Sequence, residues 1–202
     1  MRWIVPFVLL LTAAFLPAAA DTGQSPEALV HQTSQRMLAA LSDNKAQIQQ
    51  DPAKLYGLIK DIVLPHFDFQ RMSRWALGLY WRRATPDQRR RFVDEFRTLL
   101  VRTYGKALEQ YSDQSVEYLP LHRDSDARDV TVRTRVRQSG GPPIPINYSM
   151  EKTADGWKVY DVTVDGVSLV SNYRSTFSSQ VRQQGLDGLI DMLAKRNRNA
   201  GA

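Results

Sequence analysis

The apolar residues of this 202-residue chain change from a helical period to a strand period near Ser112, and that change restricts the fold more than any other sequence feature. Before it, apolar side chains recur every three or four residues, which is the spacing of an amphipathic helix. After it, they alternate over Val130 to Val136, Ile144 to Met150 and Trp157 to Val164, which predicts half-buried strands. The helical period then returns and is interrupted at Gly185, which predicts two closing helices.

Capping signals divide the first half into separate helices. Ser25-Pro26 and Asp51-Pro52 each place a capping residue before a proline at the first helical position, and Pro65 ends the second run. Thr85 to Gln88 has the pattern of a capping box and opens a long aromatic helix that reaches Tyr111. The first half therefore predicts several helices of unequal length.

Short turns between the alternating segments determine how the strands pair. The turns at Gly140–Pro143 and Asp155–Gly156 are too short for parallel crossovers, so the strands must be antiparallel. A short leading strand over Val116–Leu119 brings the sheet to about four strands. We expect an α+β fold with helices packed on one face of a curved antiparallel sheet. The predicted parts are a helical half over 25–111, a sheet over 115–165 and C-terminal helices over 167–195.

The first twenty residues have the pattern of a cleavable export signal. Arg2 precedes an apolar run from Trp3 to Leu16, and Ala18–Ala20 provide the small residues of a cleavage site. About 14 apolar residues are too few for a transmembrane helix, which needs roughly 20. We expect residues 1–20 to be a signal peptide and residues 21–202 to form one exported domain.

Composition excludes several classes of protein. Without cysteine, the chain is neither a disulfide framework nor a thiol enzyme, and its predicted mature N-terminus, Asp21, has no thiol for a lipid anchor. Hydrophobic residues make up 43% of the chain, which is typical of a globular protein. After loss of Arg2, 26 basic residues face 21 acidic ones. That surplus favours contact with anionic membranes or acidic proteins but does not indicate nucleic acid.

Few residues are suited to catalysis. His66 and Asp68 can act as acid and base, although the same residues fit a helix-entry turn capped by Asp68. Asp161 and Asp165 form a second carboxylate pair, which can instead cap the following helix or form a turn. The three histidines are scattered, and the sequence contains no metal-binding motif, so we expect neither a metal nor another cofactor.

A cluster of arginines surrounds the start of the long helix, where the helix dipole disfavours cations. They are candidates for docking to an anionic membrane or an acidic partner, and the alternative is a solvated basic surface. The cluster comprises Arg82, Arg83, Arg89, Arg90 and Arg91.

The remaining apolar residues form either a solid core or the wall of a pocket for an apolar ligand, and periodicity does not distinguish these cases. The candidates for such a wall come from the long helix and from the strands. They are Leu100, Tyr104, Leu108, Val132, Val136, Ile146, Tyr148, Val162 and Val164.

An ordered set of motifs resembles one known family over about Ser25 to Lys195. It comprises Phe67–Phe69, Arg71–Gly78, Trp81, Thr85, Gln88, Gly156–Val162, Asp165–Leu169 and Gly185–Ile190. These residues resemble the MlaC family, the periplasmic phospholipid-binding proteins of Gram-negative bacteria that are also known as toluene-tolerance auxiliary proteins.

The resemblance implies a non-catalytic phospholipid carrier that helps to maintain outer-membrane lipid asymmetry. It implies two partners, an outer-membrane lipoprotein–porin complex and an inner-membrane ABC transporter with an MCE-domain ring. The implied fold is similar to that of nuclear transport factor 2 with added helices, and acyl chains lie between the sheet and the helices. The phospholipid is cargo rather than a cofactor, and we expect a monomer.

Two alternatives to a lipid carrier remain. One is an enzyme on a similar cone-shaped fold that acts through His66 or Asp161. The other is a docking protein with a solid core and no lipid ligand.

Overall fold

The computed structural model describes residues 23–109, 115–121, 127–137 and 140–199. The predicted signal peptide, 1–20, and the predicted helix end at Tyr111 lie outside these ranges. Within the described part of the chain, none of the helices is long and apolar enough to cross a bilayer.

The first half is helical, as predicted, but contains more helices than the apolar stripes indicate. Its elements are α1 (Pro26–Asp43), α2 (Lys45–Gln50), α3 (Ala53–Ile62), a 3₁₀ turn (Leu64–His66), α4 (Phe69–Leu77), α5 (Leu79–Arg83) and α6 (Pro86–Glu109). The short helices α2 and α5 were not predicted, since neither is long enough to show a repeating period.

Helix starts follow the predicted capping residues. The Ser25 hydroxyl accepts from the Ala28 amide at 3.1 Å at the start of α1. The Thr85 hydroxyl accepts from the Gln88 amide at 3.2 Å, and the Gln88 side chain accepts from the Thr85 amide at 3.0 Å. This reciprocal pair is a capping box, and it confirms the predicted start of α6.

The sheet has five antiparallel strands in sequence order, one more than expected. They are β1 (Ser115–Tyr118), β2 (Asp129–Arg137), β3 (Ile144–Thr153), β4 (Gly156–Val164) and β5 (Val167–Ser168). The two-residue β5 returns onto β4 through a turn at Asp165 and Gly166, both of which have positive φ. Asp and Gly tolerate this conformation, and the tight turn folds back a strand too short to show alternation.

The C-terminal segment, α7 (Leu169–Asn199), consists of two helices that meet at a kink, as predicted. The kink lies at Gly185, whose φ of 76° and ψ of 175° leave the helical region. Gly adopts this conformation without the steric cost that a side chain would add. The predicted break therefore falls at the correct residue, although the helix resumes directly after it.

Apolar side chains are buried in three clusters. The helical cluster joins α4, α5, α6 and α7 around Phe92, Phe96 and Phe177. The sheet cluster packs Leu29 and Val30 of α1 against the sheet, and a third cluster joins α1, α2 and α3. The three clusters meet at the 3₁₀ turn and the residue after it, because Leu64 packs on the third cluster and Phe67 packs on the other two.

Arg71 of α4 connects the helical layer to the opposite face of the sheet. Its guanidinium forms ion pairs with Glu151 of β3 and with Asp129 of β2, the latter at 3.0 Å. The guanidinium carbon also lies 3.7 Å from the ring centre of Tyr160 on β4. Alternation along β2 and β3 places these carboxylates on the face opposite the sheet cluster. α4 therefore reaches around the β4 edge.

Candidate functional site

The sheet face toward α1 carries most of the wall residues predicted from the strands. The register pairs Val132 with Tyr148 and Thr134 with Ile146, and it continues from Tyr148 to Val162 and from Ile146 to Val164. Cross-strand partners project to the same side of a sheet, so these side chains form one continuous surface.

Burial falls along this surface from one end to the other. Met150 and Val132 are inaccessible to solvent or nearly so, because α1 covers that end together with Trp157 and Val159. Ile146 and Val164 are only half-buried although they pack on the same cluster. Val136, at the far end of β2, is half-buried as well. The sheet therefore presents accessible apolar surface next to a closed core.

Tyr148 lies at the transition between the covered and the accessible ends. It shares a hydrogen bond with Thr134, whose hydroxyl donates to the Ile146 carbonyl at 2.9 Å. Burial raises the pKa of Tyr148 to about 12, and nearby Tyr118 adds to the rise, whereas the Thr134 hydrogen bond opposes it. Because the side chain still has accessible surface, it is surrounded by protein without being sealed from solvent. Tyr148 therefore lies at the boundary of the closed part of the sheet cluster.

The C-terminal part of α6 provides a second set of half-buried apolar residues. Tyr104 packs on the helical cluster and shares a hydrogen bond with Tyr173 of α7. Burial raises the pKa of Tyr104 to about 12, and the effects of Tyr173 act in the same direction. Leu108 packs on the third cluster together with Val101. The partly accessible residues of α6 therefore lie on the helical cluster and on the third cluster.

The predicted wall residues therefore fall into different environments. Val132, Ile146, Tyr148, Val162 and Val164 lie together on one sheet face, and Val136 lies on the same strand. Tyr104 and Leu108 lie on α6 in separate clusters, and Leu100 is buried in the helical cluster. Their role in ligand binding stays a prediction.

Phe67, Tyr118 and Leu64 are further parts of this surface that the sequence analysis omitted. Tyr118 belongs to the leading strand, and its ring centre lies 4.6 Å from that of His31 on α1. The alternation of Val116 and Tyr118 on the predicted leading strand could have identified it. Leu64 lies in the 3₁₀ turn and Phe67 directly follows it. A single turn is too short to show a periodic pattern, so the sequence does not indicate which of its side chains face the core.

Of the three candidate catalytic carboxylates, Asp165 lies in the turn between β4 and β5, and the other two have structural partners. Asp68 accepts from the Arg71 amide at 2.8 Å and caps α4. Asp161 accepts from the Ser168 hydroxyl at 2.6 Å and from the Val170 amide at 3.2 Å. These contacts stabilise the start of α7, because they satisfy donors that have no partner within the helix. Both carboxylates therefore have the capping role that the sequence analysis weighed against catalysis.

His66 is half-buried and lies near two cations. Burial lowers its pKa, and the charges of Lys158 and Arg36 lower it further. The Lys158 ammonium donates to the Pro65 carbonyl at 2.7 Å, which keeps this positive charge beside the 3₁₀ turn. Within residues 23–109, 115–121, 127–137 and 140–199, no three His, Asp or Glu side chains are grouped so as to hold a metal ion.

The arginine cluster divides into residues with internal partners and residues with exposed charges. Arg89 donates to the Trp81 carbonyl at 3.0 Å, and Arg90 pairs with Asp87. Arg91 pairs with Asp187 at 3.1 Å and with Asp191 at 3.0 Å on α7. These contacts explain cations at the start of α6 by local structure. Arg82 and Arg83 are exposed, and docking by the cluster stays a prediction.

The chain is thus an α+β protein whose five-stranded antiparallel sheet carries a partly accessible apolar face toward α1. The chain belongs to the MlaC family, whose pattern, described as "MlaC protein", matches residues 31–195. This match and the following relatives confirm the resemblance noted from the sequence motifs.

Two characterised relatives align with nearly the whole chain. Toluene tolerance protein ttg2D of Pseudomonas putida is 32% identical over 187 residues, which cover 91% of this chain and 86% of the relative. The intermembrane phospholipid transport system binding protein MlaC of Haemophilus influenzae is 27% identical over 192 residues, which cover 94% and 90% of the two chains.

A solved structure has the same fold. It is the phospholipid-binding protein of Ralstonia solanacearum in complex with a phospholipid, and its sequence is 32% identical to this chain. The TM-score is 0.81, and the alignment covers 87% of this chain and 98% of the other.

Proposed function

We propose that this protein binds a phospholipid and carries it through the periplasm. The observation that carries the proposal is the likeness, at 32% identity and a TM-score of 0.81, to a protein solved with a phospholipid bound. The half-buried apolar surface formed by Ile146, Tyr148 and Val164 supports it, because acyl chains can cover this surface. The cargo would lie between that sheet face and the helices.

The physical need for a carrier follows from the acyl chains. Each methylene transferred from water to an apolar site contributes about 0.8 kcal/mol, so two chains of about 15 methylenes contribute on the order of 24 kcal/mol. Spontaneous release into water is therefore negligible. An apolar site retains the lipid, and a partner that offers another apolar site allows its release.

The family suggests which partners these are. On this proposal, the chain exchanges lipid with an outer-membrane lipoprotein–porin complex and with an inner-membrane ABC transporter that carries an MCE-domain ring. That exchange would maintain outer-membrane lipid asymmetry. Residues 1–20 would direct export, and the mature chain would act as a monomer without a catalytic step or a resident cofactor.

Extraction of the purified protein tests lipid binding directly. Protein recovered from the periplasm of a Gram-negative host is extracted with organic solvent, and the extract is analysed by mass spectrometry. Diacyl phospholipid at about one molecule per chain is expected. Repeated preparations that yield no phospholipid after exposure to membranes would contradict the proposal.

A matched pair of variants tests the location of the site. Ile146→Trp adds a large ring to the half-buried sheet face, and Thr131→Trp adds the same ring to the exposed face of β2. We expect Ile146→Trp to lose most of its phospholipid while staying folded, and Thr131→Trp to retain it. Equal lipid content in the two variants would place the cargo elsewhere.

A further inference from the structure

Two large apolar side chains are exposed where α4 meets α5. Trp75 is 43% exposed and Leu79 is 61% exposed. Between them, Gly78 turns the chain with a positive φ of 56°. One side of the Trp75 ring rests near Tyr160, at 5.3 Å between ring centres. The remaining surface of both side chains is open to solvent, so the two residues form an exposed apolar patch of the kind that marks interaction sites.

Exposed arginines surround these apolar groups. Leu79, Arg82 and Arg83 have the i, i+3 and i+4 spacing that places side chains on one face of α5. Arg74 precedes Trp75 on α4 and is exposed. The Arg174 guanidinium of α7 lies over the corner, 3.2 Å from the position that a Gly78 side chain would occupy. We name the surface formed by Arg74, Trp75, Leu79, Arg82, Arg83 and Arg174 the corner surface.

The positive charge of the corner surface is not neutralised locally. Within the described ranges, no carboxylate lies within 4.0 Å of the guanidinium groups of Arg74, Arg82, Arg83 or Arg174. The nearest acids along the chain are Asp68, which caps α4, and Asp87, which pairs with Arg90. The contrast with Arg89 to Arg91, which all have internal partners, separates the corner surface from the rest of the arginine cluster.

The chemistry of this surface matches the headgroup layer of a membrane. Tryptophan favours the membrane–water interface, where its amphipathic ring contacts both lipid carbonyls and acyl chains. Leucine adds apolar area beside it, and arginines on both sides can place their charges at the level of the phosphates. We propose that the corner surface binds an anionic phospholipid bilayer. This contact is separate from the cargo site and does not require the cargo to be correctly identified.

Tryptophan fluorescence measures this contact directly. Trp81 and Trp157 are 8% and 7% exposed, so Trp75 is the accessible tryptophan of the described chain. Protein purified from the periplasm is mixed at low salt with vesicles of phosphatidylcholine and phosphatidylglycerol, or with phosphatidylcholine vesicles alone. A blue shift with the anionic vesicles, absent from Trp75→Phe, is expected. Absence of binding to anionic vesicles would overturn the proposal.

Charge reversal tests whether vesicle binding depends on the corner surface or only on the net charge of the protein. Each basic residue near an anionic surface contributes about a fivefold change in membrane partitioning, so Arg82→Glu with Arg83→Glu lowers binding by at least about 25-fold. Arg133→Glu with Arg135→Glu makes the same change at exposed positions on β2 and serves as the control. We expect the control to retain most of its binding, and an equal loss in both pairs would overturn the proposal.

Lipid extraction from the same variants separates this proposal from the proposed cargo. Arg82→Glu with Arg83→Glu should retain its phospholipid, because neither residue belongs to the three apolar clusters. A wild-type protein that contains phospholipid but does not bind anionic vesicles contradicts the corner surface alone. A wild-type protein that binds vesicles through Trp75 but yields no cargo contradicts the proposed function alone.

Discussion

The helical cluster and the sheet face toward α1 are both apolar, but they differ in how completely they are packed. Phe92, Phe96 and Phe177 lie within 5.6 Å of one another between ring centres, and all three are buried. On the sheet, Met150 is buried while Ile146 and Val164 keep accessible surface. One region is filled by its own side chains, and the other has apolar surface that its own side chains do not cover.

The difference in packing gives the two regions different expected roles, one in the stability of the fold and the other in ligand binding. Aromatic rings in edge-to-face and stacked contact bury large areas and leave little space for a ligand. Half-buried aliphatic residues contribute less to folding, but they can bury more surface when a ligand is present. The long aromatic helix is therefore expected to support the fold, and the sheet face to hold the cargo. Four predictions test this division, from the largest expected effect to the smallest.

Truncation in the helical cluster should have the largest effect on stability. Phe96 is fully buried and contacts the rings of Phe92, Tyr173 and Phe177. Phe96→Ala should lower the free energy of unfolding by about 3 to 5 kcal/mol, because it removes buried area and leaves a cavity. Urea denaturation of lipid-free protein measures this change, with Phe96→Leu as the milder control. A loss of less than about 1 kcal/mol would show that the cluster is not the stabilising region.

Arg71 should have the next largest effect, because it joins α4 to the face of the sheet opposite the sheet cluster. Its side chain is 14% exposed and pairs with Glu151, whose side chain is 23% exposed. Arg71→Ala should cost about 2 to 3 kcal/mol, since it leaves a partly buried carboxylate without its partner. Denaturation of Arg71→Ala, Glu151→Gln and the double variant forms the test. Strictly additive losses would mean that the ion pair does not couple α4 to the sheet.

Tyr148 should make the sheet face sensitive to alkaline pH. Its pKa is about 12 in the folded protein, whereas an unfolded tyrosine ionises near 10. The unfolded state therefore loses its proton first, and stability falls as pH rises from about 10 to 12, by up to about 2 kcal/mol. Tyr148→Phe should reduce this alkaline loss, as measured by denaturation across that range. An unchanged pH profile would mean that Tyr148 is well solvated.

His66 should contribute the smallest effect, at the segment where the clusters meet. Because its pKa is lowered in the folded protein, the unfolded state binds the proton more readily. Stability should therefore fall as pH drops below the ordinary histidine pKa of about 6.5. His66→Gln should make denaturation less sensitive to pH between neutral and mildly acidic conditions. If the free energy of unfolding depends on pH with the same slope in the wild type and the variant, the pKa of His66 is not lowered by burial.

The elements with local signals were predicted most accurately. Thr85 and Gln88 identify the start of α6 because a capping box involves only neighbouring residues. The alternation after Ser112 identifies β2, β3 and β4, since each strand is long enough to show its period. The two-residue β5 and the six-residue α2 were missed because each is too short for its pattern to recur.

Contacts between distant residues were not predictable in the same way. Arg71 lies 58 and 80 residues from its partners Asp129 and Glu151, and no local spacing relates them. Arg91 was a candidate for docking, and its ion pairs with Asp187 and Asp191 arise because α7 returns alongside α6. The sequence identifies these residues as charged but does not contain the geometry that joins them.

The α+β class, the antiparallel sheet, the main helix caps and the family were all predictable from the amino-acid sequence. Each depends on local periodicity, on turn length or on an ordered set of motifs. Which apolar residues are sealed and which stay accessible depends on tertiary contacts, as Leu100 and Ile146 show. Burial depends on the side chains that distant elements bring together, whereas periodicity identifies only the face on which a residue lies.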